Sequence, residues 1–154
     1  MTRLAEAQAF VAELHRDIPL AAFMQLEAIA WDGQSLTLKA PLQPNINDKS
    51  TAFAGALASL STVTGWAALM LWARAELGAC LVAVYESEIK YRHPVSSDFS
   101  ATATLPDVDT LQQIAEQIRS KGKARAQLQA AIVQDGRPAV TLTARYAVWQ
   151  VAEA

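Results

Sequence analysis

One segment constrains this chain more than any other. From Ser50 to Ala73 the sequence carries no charged residue, and it follows a polar turn containing Asn45, Asn47, Asp48 and Lys49. A run of that length reaches the roughly 20 residues needed to span a bilayer. Its composition argues otherwise. The run is rich in Ala, Gly, Ser and Thr rather than Leu, Ile and Phe, which makes insertion unfavourable. A helix apolar nearly all round, buried in the core of a soluble domain, fits better. We expect it over about residues 51–77, with Ser50 or Thr51 as N-cap and Gly78 just past its end.

The rest of the chain must supply what buries that helix. Its 154 residues, 52% of them hydrophobic, suffice for one domain over residues 1–154 with a sizeable core. A net charge of −2 with interspersed signs gives no electrostatic footprint for nucleic acid. Cys80 is the single cysteine, so no intrachain disulfide or CxxC zinc pair exists, which fits a reducing, cytoplasmic setting. We read it as a small core residue rather than a nucleophile. The N-terminus holds acidic residues and no unbroken apolar run, unlike a signal peptide. Leu4, Ala7, Phe10, Val11 and Leu14 recur at helical spacing, and Pro19 is expected to end that helix.

Strand signals flank the central helix. Phe23 to Trp31 and Gln34 to Ala40 around Asp32-Gly33 read as a hairpin. Leu81 to His93 alternates, with Leu81, Ala83, Tyr85, Ser87, Ile89 and Tyr91 on the face expected to meet the helix. Phe99 to Leu105 is a further strand, and Asp107 opens a short helical insert through about Ser120. Lys123 to Gln134 and Ala139 to Val151 pair through Asp135-Gly136-Arg137-Pro138. One long helix with a run of antiparallel strands predicts an α+β fold, a curved sheet wrapped around the helix.

The segments NINDKSTAFAG, from Asn45, and SEIKYRHPV, from Ser87, resemble the two most recognisable pieces of the YiiD C-terminal thioesterase family, a hotdog-fold family. The resemblance covers nearly the whole chain. It implies a hotdog fold and hydrolysis of acyl-CoA or acyl-carrier protein thioesters. The CoA moiety would be part of the substrate, with no separate cofactor. It also implies homodimers or dimers of dimers with sites at the subunit interface. In that family the domain often follows an acetyltransferase domain, and none is expected within these residues.

Thioester hydrolysis needs donors for the developing oxyanion, an activated water and an apolar slot for the acyl chain. The start of the central helix offers free N–H groups and a positive dipole end. Ala54 and Gly55 are the residues expected there, Gly55 permitting close approach of substrate or, alternatively, close packing of the helix. Asp48 is the first candidate for general base, with Asn47 and Asn45 holding water or the carbonyl by their amides. All three equally suit turn and cap roles. Many hotdog thioesterases carry His-Gly-Gly where this chain has Phe53-Ala54-Gly55. Related enzymes often place a carboxylate two turns further on, where Ser61 and Thr62 stand here. Thr62 or Ser61 is expected to bond a water or to back-bond within the helix. Thr51 lies at the same helix start. Ser87 is a candidate to reach a site from the partner subunit, and Arg92, Lys49 and Lys90 to meet CoA phosphates or serve as ordinary surface cations. Phe53, Trp66, Leu69, Met70 and Trp72 are the large apolar residues that either line the slot or fill the core. His15 and His93 lack ligand spacing, so no metal is expected. Two further readings remain: a non-catalytic acyl-thioester binding domain acting with an acetyltransferase, and, ranked lower, a hydratase.

Overall fold

A computed structural model describes residues 1–152, so the last two residues of the expected domain lie outside the described residues. Helix α1, Arg3–Asp17, is capped by the Thr2 side chain, which accepts from the Ala5 N–H at 3.1 Å. It buries Ala7, Phe10, Val11 and Leu14, the stripe its spacing predicts. A short helix α2, Pro19–Met24, follows at once. The expected strand from Phe23 therefore begins only at Glu27. Pro19 fixes the φ of a first helical turn, and Gln25 closes α2 in the left-handed region at φ 58°.

Six strands form one antiparallel sheet. They are β1 Glu27–Trp31, β2 Ser35–Ala40, β3 Cys80–Tyr91, β4 Phe99–Thr104, β5 Lys123–Gln134 and β6 Arg137–Gln150, in the spatial order β1-β2-β4-β5-β6-β3. Asp32 shapes the β1–β2 turn by accepting from the Gln34 and Ser35 N–H groups at 2.8 and 2.7 Å, which holds its carboxyl below the usual carboxylate range. The β5–β6 hairpin turns through Asp135 and Gly136, both at positive φ, the conformation a tight two-residue turn demands. Helix α4, Val108–Lys121, connects β4 to β5 and packs on β5.

The long helix α3, Ala54–Leu77, lies against one face of this sheet and touches β2, β3, β4, β5 and β6. By length and composition it could cross a membrane, but more than half of its most apolar stretch is buried within the molecule. It starts three residues later than Thr51, with Phe53 rather than Ser50 or Thr51 as N-cap. Two features bring helix and sheet close together. A Cβ at Gly65 would meet the Tyr146 hydroxyl at 2.5 Å. That hydroxyl donates to the Thr62 carbonyl at 2.8 Å, and burial raises its pKa. Trp66 Nε1 donates to the Val82 carbonyl at 2.6 Å and ties the opposite flank of α3 to β3.

β3 corrects one expectation. Its buried residues are Cys80 and Val82, whereas Leu81 is exposed. The pairing with β6 slips by one residue between Val84 and Glu86, so a bulge leaves Tyr85 unmatched. Residues directly opposite in an antiparallel pair share a face. Before the bulge Val82 stands opposite buried Val148. After it Ser87, Ile89 and Tyr91 stand opposite buried Ala144, Leu142 and Val140. The predicted helix-facing set thus holds for the second half of the strand and is reversed in the first. β3 is also an outer strand of the sheet, and its second half is largely exposed.

Candidate active site at the start of the central helix

The polar turn before α3 is a closed loop organised by Asn47. Its Oδ1 accepts from the Lys49 and Thr51 N–H groups at 2.7 and 3.1 Å, and its Nδ2 donates to Thr51 Oγ1 and the Ala52 carbonyl at 2.9 and 3.4 Å. The Asn47 N–H donates to the Thr51 carbonyl at 2.8 Å, and Ile46 bridges Ala52. An amide has two donors and two acceptor lone pairs, so in this conformation none of Asn47 is left over for a water. Thr51 is bound up in the same turn. Ser50 sits at φ 63° to let the loop close.

Asn45 is buried at 5% exposure. Its Nδ2 donates to the Met24 and Pro41 carbonyls at 3.0 and 2.8 Å, and its own carbonyl accepts from the Phe53 N–H at 2.8 Å. It therefore clamps α2 to the segment that enters α3. Asp48, by contrast, stands in water. Its side chain is 82% exposed and pairs with Lys49 Nζ at 2.9 Å. The shielded surroundings of a buried base are not supplied within this chain.

The helix start itself is open. Phe53 makes no side-chain capping bond. The Ala56 and Leu57 N–H groups both turn back to the Phe53 carbonyl, at 2.9 and 3.0 Å. Among the described residues the Ala54 and Gly55 N–H groups have no protein acceptor. They are the orphan donors of an α-helix N-terminus, and they carry its positive dipole end. The Phe53 ring lies over Gly55, where an added Cβ would meet it at 2.4 Å.

Gly55 and the Phe53 ring border a groove of about 510 Å³, lined also by Leu20, Phe23 and Met24 of α2, by Ile46, and by Ser59 of α3, while Ala54 precedes Gly55 just outside that lining. The size suits a small-molecule site. Of the five large apolar residues expected to line a slot or fill the core, only Phe53 lines this groove. Leu69 and Met70 are buried in the core, and Trp66 and Trp72 pack against it. The α2 residues escaped sequence reading because Phe23 and Met24 read as the start of a strand and Leu20 falls in no expected element. Pro19 as a helix-opening proline was the signal for them.

The remaining candidates are spread more widely. Ser61 is fully buried, and among the described residues its Oγ has no hydrogen-bond partner. Thr64, three residues further on, makes the helical back-bond to the Leu60 carbonyl at 2.6 Å instead. Thr62 is half-buried, and its carbonyl serves Tyr146. Ser87 on β3 and Arg92 just past its end are exposed and do not line the groove within one chain. Burial raises the Cys80 thiol, which keeps it from the nucleophilic thiolate. Among the described residues no group of three or more His, Cys, Asp or Glu is placed to hold a metal ion.

Sheet, central helix and site together define a hotdog-fold domain of the thioesterase superfamily. Residues 7–150 match the family described as "Putative thioesterase (yiiD_Cterm)", and the chain belongs to that family. It is similar to a protein of unknown function from Chlorobaculum tepidum TLS, at 33% identity over 97% of this chain and 98% of the other, with a TM-score of 0.93. The "putative thioesterase" from Shewanella oneidensis is 26% identical over 96% and 99% of the two chains, with a TM-score of 0.80. A probable thioesterase from Pseudomonas aeruginosa shares the fold at 22% identity, 93% and 95% coverage and a TM-score of 0.77.

Proposed function

We propose that this protein hydrolyses acyl thioesters of CoA or of an acyl-carrier protein, with the thioester carbonyl held at the start of α3. The observation that carries the reading is the uncapped helix start. Ala54 and Gly55 keep two N–H donors free, and Gly55 lines an apolar groove, in a chain of a thioesterase family. Donors preorganised for an oxyanion are typically worth a factor of about 10²–10³ each. A water attacks the carbonyl carbon, and its proton passes to a carboxylate. The tetrahedral intermediate then collapses, the C–S bond breaks, and the thiolate takes up the proton. Asp48 is the carboxylate nearest in sequence to these donors.

Asp48 needs a cover to act as a base near neutral pH, and a second copy of the chain is the source we propose. β3 supports this. It is a twelve-residue strand at the sheet edge with Val84, Tyr85 and Tyr91 exposed, and long open edges seek a partner strand. Pairing there would also bring Ser87 of one copy toward the helix of the other. The open donor pair at Ala54 and Gly55 also allows the second reading, intact acyl-thioester binding. The observation favouring it is that α3 carries no carboxylate near its start and Asp48 is solvated in one chain.

A panel of acyl-CoAs decides between them. Hydrolysis with kcat lowered about 100-fold in Asp48→Asn is the expected result. Properly folded protein that leaves every thioester intact, while calorimetry shows binding, would give the site to the second reading.

A further inference from the structure

We infer that the groove between α2 and the start of α3 is the acyl-chain slot and that it selects aliphatic acyl groups, gaining affinity with chain length. The inference rests on the thioester reading of the same helix start. Of the five grooves described on the surface, four are lined by charged side chains. This one has none. Its walls are Leu20, Phe23, Met24, Ile46 and Phe53, and its floor is the stretch of α3 from Gly55 to Ser59. Its one buried amide, Asn45, already spends both N–H donors on the Met24 and Pro41 carbonyls. Away from that helix start, a polar group carried along these walls would lose its hydration without recompense. An alkyl chain loses only unfavourable contact with water.

One end of the slot is polar. The free Ala54 and Gly55 N–H groups fix where the carbonyl sits, so a chain attached to that carbonyl continues over Gly55 toward α2. Phe53 is 56% exposed and Phe23 79% exposed, beside Leu20 at 58%. Aromatic and aliphatic side chains so placed close over an alkyl chain once it lies between them. Ser59 is the single hydroxyl on the floor, one turn beyond Gly55.

The test compares straight-chain acyl-CoAs from acetyl to dodecanoyl. Each methylene buried should raise kcat/KM about fourfold until the slot is full, after which the profile flattens. In Phe23→Ser and in Leu20→Gln that slope should fall below twofold per methylene. Val108→Ser, a change at an equally exposed apolar residue on α4, should leave slope and rate as they are. An unchanged slope in Phe23→Ser and Leu20→Gln overturns the assignment even where hydrolysis is brisk. So does a preference for acetyl-CoA over longer chains. If the wild-type protein hydrolyses none of them, calorimetry with decanoyl-CoA and acetyl-CoA separates the two ideas. Tighter decanoyl-CoA binding that is lost in Phe23→Ser keeps the slot and ends the hydrolase reading. Equal binding of both ends the slot as well. A dimer weakened by Phe23→Ser at unchanged chain-length slope would assign the patch to a second copy and overturn the inference.

Discussion

Helices α3 and α4 begin in opposite ways. At α4 the Asp107 carboxylate accepts from the Thr110 N–H at 2.8 Å, and that bond holds Asp107 below the ordinary carboxylate range. At α3 the residue in the same position is Phe53, whose side chain bonds nothing and folds over Gly55. A cap is worth about 1 kcal/mol to an average helix. The helix that anchors the whole core forgoes it, and α4, a peripheral helix, does not. Packing explains why this is tolerated: α3 is held by five strands and has stability to spare. The difference teaches that a helix held by the sheet can begin without a side-chain acceptor, which leaves the first N–H donors of α3 available to a ligand.

The sharpest way to break that contrast is to give α3 the cap it lacks. Phe53→Asp should accept from the Gly55 or Ala56 N–H, leave stability equal or higher by about 1 kcal/mol, and lower kcat/KM about 100-fold, since a fixed carboxylate takes the place of the oxyanion. Thermal melts and acyl-CoA kinetics on the same preparation check both halves. A capped variant with full activity would remove the carbonyl from the helix start.

The same substitution at two glycines of α3 sharpens it further. Gly65→Ala drives a methyl into the buried Tyr146 hydroxyl and should cost about 1–3 kcal/mol by overpacking. Denaturant unfolding measures that loss. Gly55→Ala meets only the movable edge of the Phe53 ring. There it should stabilise by roughly 0.5–1 kcal/mol through helix propensity while lowering activity several-fold. Equal losses of stability at both positions would make the helix start an ordinary packing site.

The smallest effect belongs to α4. Asp107→Asn keeps a good cap at neutral pH and should leave kcat/KM unchanged. A carboxyl whose folded pKa lies below its unfolded value contributes stability above the unfolded value, and loses it as pH falls through the folded one. The wild-type midpoint of unfolding should therefore drop more steeply below about pH 4 than that of Asp107→Asn. Asp32, lowered in the same way, retains part of the slope in both proteins.

Much of this was legible in the sequence. The uncharged run announced α3, the Asp-Gly pairs marked both hairpins, and the residue types around Asn45 to Gly55 drew attention to the candidate site. Three things were not. The start of α3 was misplaced because Ser50 and Thr51 look like caps, while their groups are spent inside the turn that Asn47 holds. α2 was hidden because Phe23 to Trp31 is apolar enough for a strand, and short apolar runs do not announce their period. The face of β3 was half inverted because alternation in a sequence carries no sign of where a bulge falls. Asp48 illustrates a different limit. Its position before the helix was plain, yet whether water surrounds it depends on what else meets that surface, and a single chain's sequence does not say.

The bulge at Tyr85 also sets what lengths β3 can take. Tyr85 is the one residue of the strand that faces no partner on β6. Removing it would leave Glu86 to Tyr91 against their present neighbours, whereas removing any one residue further along would turn the remainder of the strand over. Tyr85 is thus the place where this chain can gain or lose a residue in β3 without rewriting its edge, and relatives that differ in length there remain comparable position by position on either side.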